Sequence, residues 1–300
     1  MLKQSENRVK IEGILSEINL TDGEFMRDNK AMPYIRGQIK IRVTYDYKGH
    51  PFDIDVPVEV FVTKWTKTGT INPAYKSIED VRDNFVSIAA AGGEENADRV
   101  RITSAQLTEN AFYAQSGELV SQTRISTSFI SKIKKEDCKP EATFVTQMAI
   151  GNIIDEMDAE GMPTGSLLIK GVIVQYNERA DLVTYRVSHE LNPQAVDYIR
   201  SNWNQGDTVR INGIMNFSAK TVATEIESEF GDSVTEYRTV SVRELLITGG
   251  SAPQDEELAY PAAEIGRILA DRKARIEKTK EPKPAQQATS AAAGFSGLDF

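Results

Sequence analysis

The sequence predicts a mainly β protein with minor α-helical content, in which one module occurs twice. The first observation is an internal match, since Met32-Pro33 and Ile39-Lys40 recur 130 residues later as Met162-Pro163 and Ile169-Lys170. The second is the alternation of apolar and polar residues around each copy, which indicates half-buried strands. The third is that both copies show the same order of strands and helix. Together these observations favour two similar barrels in tandem.

The first copy shows three strands, a helix and two further strands. Gly13 indicates a bend in the first strand, and alternating aliphatic residues define the second and third. The helix is predicted to begin at the N-cap Ser77 and to run to Ala91, because its apolar residues recur on one face. The predicted strands are Arg8–Ile18, Tyr34–Tyr47, Phe52–Thr63, Arg99–Thr108 and Thr123–Ile133.

The second copy repeats this order. Asn192-Pro193 is an N-cap followed by proline at the first helical position, so a helix is expected from there to about Trp203. The predicted strands are Phe144–Ile154, Ser166–Tyr176, Leu182–Ser188, Thr208–Met215 and Tyr237–Ile247.

The shared order is that of the OB-fold, a five-stranded Greek-key barrel whose strand 2–3 face and flanking loops bind oligonucleotides or oligosaccharides. We therefore predict two OB-like five-stranded barrels in tandem, over residues 1–140 and 141–250. Residues 251–281 are predicted to be helical, and residues 282–300 to form a disordered tail because they are too poor in apolar groups to offset ordering entropy. The helical segment carries a sparse apolar stripe of Leu258, Ile265, Ile268 and Leu269.

Composition narrows the class of protein. The chain has one cysteine and two histidines, which excludes an internal disulfide and a Cys/His zinc cage. It has no apolar run of the roughly 18 residues that span a bilayer, and its start lacks a signal-peptide pattern. The phosphate-loop, dinucleotide-binding and metalloprotease motifs are absent from the sequence. We expect a cytoplasmic protein that is not an enzyme, without metal, cofactor or membrane partner.

The distribution of charge favours the first module as a binder of anions. The net charge of −9 argues against a nucleic-acid partner, because Lys and Arg make most phosphate contacts. Residues 1–140, however, carry 20 basic and 20 acidic side chains, whereas residues 141–250 carry 8 and 16. The acidity therefore lies in the second module, and the first is free to hold a basic groove.

Cations and aromatic residues occur together in the first module, as binding of an unpaired strand requires. Cations share the polar face of the second strand, and a tryptophan flanked by lysines follows the third. The alternatives are a solvated strand face and a tryptophan lid on the barrel, and Asp53, Asp55 and Glu59 on the neighbouring strand could neutralise the cations. The candidate residues are Arg36, Lys40, Arg42, Tyr45, Tyr47, Lys48, Lys64, Trp65, Lys67, Tyr75 and Lys76.

The second module offers fewer candidates against its net negative charge. It could extend the binding path or serve as a protein-contact or dimerisation domain. Its candidate nucleic-acid-binding residues are Lys170, Tyr176, Arg179, Tyr185 and Arg186.

The C-terminus resembles that of bacterial-type single-stranded DNA-binding proteins. Residues 284–297 are low in complexity, and the chain ends in Leu298-Asp299-Phe300, with a single acidic residue where that family has several. The resemblance implies a tip that recruits replication or recombination proteins, and with two OB-like modules it is similar to virus- or plasmid-encoded single-strand binders. The implied partner-binding residues are Phe295, Leu298, Asp299 and Phe300.

These observations predict a protein that binds single-stranded DNA, protects exposed strands in replication or recombination, and recruits partners through its tip. The alternative is a structural or adaptor protein, for example a virion component, that uses its barrels for protein contacts. Oligomeric state, preference for DNA or RNA, and site size stay open at this stage.

Overall fold

The first closed barrel, called barrel 1, forms from five strands of the computed structural model, which describes residues 2–226 and 234–280. Strand β1 (Asn7–Arg27) pairs with β2 (Lys30–Tyr47), and β2 pairs with β3 (His50–Thr63), all antiparallel. Strand β4 (Arg99–Tyr113) pairs with β1 on one side and with β5 (Leu119–Thr127) on the other. Strand β5 closes the barrel by running parallel to β3. This closed order is that of an OB-fold.

A second closed barrel, barrel 2, has the same pairing. Strand β7 (Glu141–Met157) pairs with β8 (Pro163–Val174), which pairs with β9 (Ala180–Val187). Strand β10 (Thr208–Asn216) pairs with β7 and with β13 (Glu244–Gly250), and β13 runs parallel to β9. The prediction of a mainly β chain with two OB-like five-stranded barrels is therefore confirmed by the strand order.

The predicted closing strands were too long in both copies. In barrel 1, residues after β5 form a separate short strand β6 (Ser131–Ile133), which pairs with the other side of β4. In barrel 2, the predicted strand Tyr237–Ile247 is divided between β13 and an additional hairpin of β11 (Ala219–Ile226) and β12 (Val234–Ser241). Periodicity alone does not show where one strand of a hairpin ends and the next element begins.

A helix closes each barrel between its third and fourth strands. Helix α1 (Pro73–Asn84) begins at Asn72, whose side chain accepts from the Ala74 amide, so the predicted start at Ser77 was wrong. The helix ends at Asn84, and a second, short helix, α2 (Ile88–Ala91), follows after a break. Helix α3 (Pro193–Asn202) begins where Asn192-Pro193 predicted it.

The C-terminal helix α4 (Ala262–Glu277) is shorter than the predicted segment. Ile265, Ile268 and Leu269 pack on barrel 2, but Leu258 precedes the helix and is exposed, so it does not belong to the apolar stripe. No helix in the described ranges is both long and apolar enough to cross a membrane. The predicted tail, 282–300, lies outside the described residues.

Alternating aliphatic residues fill the barrels. Ile35, Ile39, Ile41 and Val43 of β2 are fully buried, as the period of two predicted. Burying one such side chain contributes about 1.5–3 kcal/mol, so the inward face of each strand fixes its register. The intervening residues therefore point to the outside of the barrel.

Three kinds of contact join the barrels. The first residues of β1 pair with β7, from Asn7 opposite Thr146 to Glu12 opposite Glu141. Helix α4 packs on both β4 and β9. Its Arg272 forms a bidentate ion pair with the buried carboxylate of Glu109. The same carboxylate accepts from the Leu182 amide of β9 at 3.1 Å, so the network links both barrels to the helix.

Candidate nucleic-acid interface

Three aromatic rings form a cluster on the outside of barrel 1, where β1, β2 and β3 lie side by side. Tyr34 of β2 lies between Phe25 of β1 and Phe61 of β3, with ring centroids 5.8 and 5.3 Å apart. Phe61 is 59% exposed. Gly23 leaves room for the Tyr34 ring, because a Cβ there would lie 2.3 Å from Tyr34 Cζ. The cluster presents aromatic faces to solvent on a rigid sheet.

A cation without an acidic partner lies beside this cluster. The guanidinium of Arg36 is 5.7 Å from the Tyr34 ring centroid, and Arg36 is directly opposite Phe61 in the β2–β3 ladder. No described carboxylate forms an ion pair with Arg36. A guanidinium that stacks on an aromatic face and keeps its N–H groups free is suited to a phosphate oxygen.

A basic pocket of about 410 Å³ continues the same face at the tip of the β1–β2 hairpin. Trp65 and Met32 supply its apolar wall, and Trp65 is 36% exposed. Met32 pairs with Phe25, which joins the pocket to the aromatic cluster. The cations at its rim are Arg27, Lys30 and Lys67, with Asp28 the single acidic lining residue.

The loop that carries Trp65 is held by its own hydrogen bonds. The Thr66 amide donates to the Thr70 carbonyl at 2.9 Å, and the two hydroxyls are 2.8 Å apart. Trp65 pairs with Ile71 in an isolated bridge, and the Lys64 amide donates to the Pro33 carbonyl at 2.8 Å. The predicted residues Trp65 and Lys67 are thus brought together with Arg36's face.

On the outer face of β2, carboxylates neutralise the cations that lie farther from the hairpin tip, Lys40 and Arg42. Arg42 makes bonds of 3.0 and 2.7 Å with Asp53 and lies 3.3 Å from Glu94. Its hydrogen bonds hold the pKa of Asp53 below its usual value, against the opposing effect of burial. Lys40 pairs with Glu17 at 2.5 Å. The prediction that acidic residues could neutralise the cations therefore holds for Arg42. Toward the hairpin tip Arg27 lies 3.9 Å from Asp28, whereas Lys30, Arg36 and Lys67 make no ion pair with a described residue.

Tyr45 and Tyr47 lie at the opposite end of β2 from Tyr34, and Lys48 follows directly after the strand. The Tyr45 ring stacks on Phe52, and its hydroxyl donates to the Met215 carbonyl of barrel 2 at 2.6 Å. Lys48 donates to the Leu191 carbonyl at 3.2 Å. These contacts belong to the junction of the barrels, so the prediction of Tyr45 as a base-stacking residue is contradicted by its packing.

Three further candidates, Lys64, Tyr75 and Lys76, lie on helix α1 or near its start, and their surroundings differ. Tyr75 is buried, and burial raises the pKa of its hydroxyl, so its predicted role in base contact was wrong. Lys64 lies 5.9 Å from the Tyr75 ring centroid and 6.0 Å from that of Trp65. Lys76 is exposed on the first turn of the helix and makes no ion pair with a described residue.

The candidates of barrel 2 are divided in the same way. Tyr185 is fully buried at 0% exposure, and burial raises its pKa, so it cannot stack on a base in this fold. Arg186 makes bonds of 2.8 and 2.9 Å with Glu156 and is thereby neutralised. Lys170, Tyr176 and Arg179 are exposed, and Arg179 lies 3.5 Å from Asp181.

Helix α4 covers part of the barrel 2 face that corresponds to the cationic face of barrel 1. Val172, Val174 and Ala180 are buried there beneath Ile268. At the offset of 130 residues, Tyr34 and Arg36 correspond to Thr164 and Ser166, which are neither aromatic nor cationic. Barrel 2 therefore does not repeat the site of barrel 1.

Sequence reasoning missed Phe25, Tyr34 and Phe61. A signal for Phe61 was present, because it stands on the polar side of an otherwise regular alternation in β3. The tail candidates Phe295, Leu298, Asp299 and Phe300 lie outside the described residues. Within the described ranges, no group of three or more His, Cys, Asp or Glu side chains could hold a metal ion.

Barrel 1 thus carries exposed aromatic rings and cations on its strand 2–3 face, the face that OB-folds use to bind oligonucleotides or oligosaccharides. The family model described as YorF matches residues 5–282, and the chain belongs to the YorF family. No curated protein is significantly similar to it in sequence.

Two solved structures are similar to the chain. The wild-type single-stranded DNA-binding protein from Thermus aquaticus is 9% identical, with a TM-score of 0.48 over 87% of this chain and 99% of that one. A deletion mutant of the same protein is 10% identical, with a TM-score of 0.49 over 86% and 98%. The barrels of this chain are defined by their own strand pairing, independently of these similarities.

Proposed function

We propose that this protein binds single-stranded DNA, without sequence preference, on the outer face of barrel 1. The observation that carries the proposal is the joined surface of Phe25, Tyr34 and Phe61 with the free cation Arg36 and the basic pocket of Trp65. Aromatic rings stack on unpaired bases whatever their identity, and cations follow the backbone. The rings lie on paired strands, so they are positioned before the ligand arrives.

The geometry favours a flexible single strand over a duplex. The rings lie on a sheet face and at a hairpin tip, and a duplex keeps the faces of its bases stacked and out of reach. Arg36 lies beside the Tyr34 ring, and Lys30 and Lys67 lie beside Trp65, so cations and rings are adjacent on this face, as phosphates and bases are in a single strand.

The test is the affinity of the full chain for fluorescent oligo(dT), measured by anisotropy. Phe61→Ala should lower affinity by about 5- to 150-fold, the equivalent of one stacked base at about 1–3 kcal/mol. Tyr198→Ala is the matched control, since Tyr198 is 43% exposed on α3 and away from this face.

Tryptophan fluorescence supplies a second readout in the same titration. Trp203 is 4% exposed and donates to the Ser251 carbonyl, so quenching by DNA should come from Trp65 and disappear in Trp65→Phe. Equal affinity of Phe61→Ala and the parent for oligo(dT) would refute the proposal. Absence of any oligo(dT) binding would favour the adaptor or virion-component alternative, and stronger binding to oligo(U) would reassign the ligand to RNA.

The finer role proposed for this binding is protection of exposed strands in replication or recombination, by a protein that is not an enzyme and acts in the cytoplasm, or in the host cytoplasm if viral. Recruitment of replication or recombination proteins is assigned to the tip, Leu298-Asp299-Phe300, with Phe295. This part rests on the sequence of the tail and its resemblance to bacterial-type single-strand binders.

A further inference from the structure

We infer that the bound strand leaves barrel 1 past Phe61, crosses the groove between the barrels, and ends on the β8–β9 turn at Tyr176. This inference rests on the proposed function and extends it to a second segment of the site. The strand would contact Phe129 and Arg124, which the sequence did not single out. On barrel 2 it would contact the β8–β9 turn and not the strand face.

The groove has a volume of about 950 Å³ and begins where the aromatic cluster ends. Phe61 lines both surfaces, so the two are continuous. Along its length the groove exposes two more aromatic rings, Phe129 at 50% and Tyr176 at 69%. Three exposed rings in succession, from β3, the β5–β6 loop and the β8–β9 turn, form a series of stacking surfaces for successive bases.

The charge of the groove complements a phosphate backbone. Arg124 of β5 makes no ion pair with a described residue, and Arg179 stands at the far end. The acidic groups that line the groove each have a partner, and Asp181 is paired with Arg179 at 3.5 Å, so Arg124 is the lining cation left for a phosphate. Glu109 is paired with Arg272, and Glu59 accepts from Gln38 at 3.1 Å. An apolar peptide would leave Arg124 desolvated without a partner, so an anionic strand fits this groove better than a protein segment does.

The turn that carries Tyr176 is fixed against barrel 1. Gln175 donates to the Leu107 carbonyl of β4 at 2.8 Å and to Asp181 at 3.2 Å. Asn177 and Glu178 adopt left-handed backbone conformations, with φ of 59° and 57°, which shape the tight turn. The bond from Gln175 to Leu107 therefore joins this turn to barrel 1 and holds the neighbouring Tyr176 at the edge of the groove.

The Phe129 side is held as well. The Phe129 amide donates to the Thr127 hydroxyl at 3.3 Å, and that hydroxyl donates to the Phe129 carbonyl at 3.1 Å. The next residue, Ile130, is buried in the core and anchors the loop. The backbones that carry Phe129 and Tyr176 are thus held by neighbouring residues, so both rings stay exposed to solvent in the folded protein.

The test compares oligo(dT) of about 6 nucleotides, which one barrel face accommodates, with oligo(dT) of about 20 nucleotides, which also reaches the groove. The double variant Phe129→Ala/Tyr176→Ala should weaken binding of the long oligonucleotide by about tenfold or more, while binding of the short one is unchanged. Tyr176→Ala alone should show a smaller effect of the same kind and perturbs the fold least. Tyr198→Ala serves as the control at both lengths.

The outcomes separate this inference from the proposed function. If Phe61→Ala weakens both lengths but the groove variants weaken neither, the strand does not cross the groove and only this inference is overturned. Equal losses at both lengths in the groove variants also overturn it, because the groove would then be part of the primary site or of the fold. If Phe61→Ala weakens neither length, the proposed function itself fails.

Discussion

At the scale of single residues, the identity of the partner decides whether a cation is available to a ligand. Arg36 and Arg42 are an even number of positions apart in β2 and therefore lie on the same face of the strand. Arg36 contacts an aromatic ring, whereas Arg42 is held by Asp53 and Glu94. Sequence alternation treats the two as equal, but only the first has hydrogen-bond donors free for a phosphate.

The salt dependence of binding should therefore distinguish these two arginines. Arg36→Ala should reduce the slope of log K against log salt by about 0.7, the value for one phosphate contact on a single strand. Arg42→Ala is the matched control and should leave the slope unchanged, since its charge is already compensated. The measurement is oligo(dT) affinity at several salt concentrations, and equal slopes for both variants would contradict this account of the site.

At the scale of elements, α4 connects the two barrels and covers barrel 2. Its half-buried Arg272 pairs with the buried Glu109, which also accepts from Ser121 at 2.6 Å and from the Leu182 amide. Burial works to raise the pKa of Glu109, but the bonds from Arg272, Ser121 and Leu182 together hold the pKa below its ordinary value. Removing the arginine leaves a buried carboxylate without its counter-charge.

We expect Arg272→Met to lower the free energy of unfolding by about 3–5 kcal/mol at neutral pH. Arg267→Met is the matched control on the same helix, where an exposed ion-pair cluster contributes about 0–1 kcal/mol. Urea unfolding followed by the fluorescence of buried Trp203 measures both. A loss in Arg272→Met no larger than in Arg267→Met would show that the pair does not hold the helix.

The same variant should show a pH-dependent difference from the parent. A carboxyl group with a lowered pKa stabilises the fold above its unfolded-state pKa, here about 4.5, and that stability is lost as pH falls through the lowered value. In Arg272→Met the Glu109 carboxyl is buried without its counter-charge, so its pKa should be raised instead. Protonation of Glu109 at low pH then no longer costs the variant stability. The difference in stability between parent and variant should therefore narrow as pH falls, beginning at the variant's raised pKa, above 4.5, and ending at the parent's lowered pKa. A gap that stays constant would assign the loss to packing.

At the scale of the whole molecule, two barrels of the same topology have different surfaces. Barrel 1 presents rings and free cations, whereas barrel 2 is covered by α4 and carries Thr164 and Ser166 at the corresponding positions. The unequal charge of the two halves agrees with this division. One fold thus supplies the proposed binding face in one copy, whereas helix α4 covers part of the corresponding face in the other.

Deleting residues 295–300 should separate strand binding from partner recruitment. The deletion removes Asp299 and relocates the terminal carboxylate, so it should not weaken binding of oligo(dT). Capture of replication or recombination proteins from the native host should fall, because a terminal aromatic such as Phe300 is the kind of residue that fills a pocket and dominates an interface. Ser296→Ala is the control, and identical capture by the intact and shortened chains would refute the proposed tip.

The sequence by itself determined the class of fold, and its charge distribution favoured the first copy as the proposed binding module. Alternation in β2 and β3 identifies inward and outward residues, and Asn192-Pro193 identifies the start of α3. Asn72-Pro73 is the same signal and was overlooked in favour of Ser77. These features depend on residues that are neighbours in the sequence. Successive side chains of a strand point to opposite faces, and polar residues are kept off the buried face.

Only the tertiary structure decided which candidates face a ligand. Tyr45, Tyr75, Tyr176 and Tyr185 were all candidates, yet Tyr75 and Tyr185 are buried, Tyr45 is partly buried against the core, and Tyr176 is exposed. Likewise, Phe61 is distant in sequence from Phe25 and Tyr34, and the three rings meet because β1, β2 and β3 pair side by side. Burial, pairing of charges and contact across strands depend on residues brought together from distant parts of the chain, which sequence periodicity does not encode.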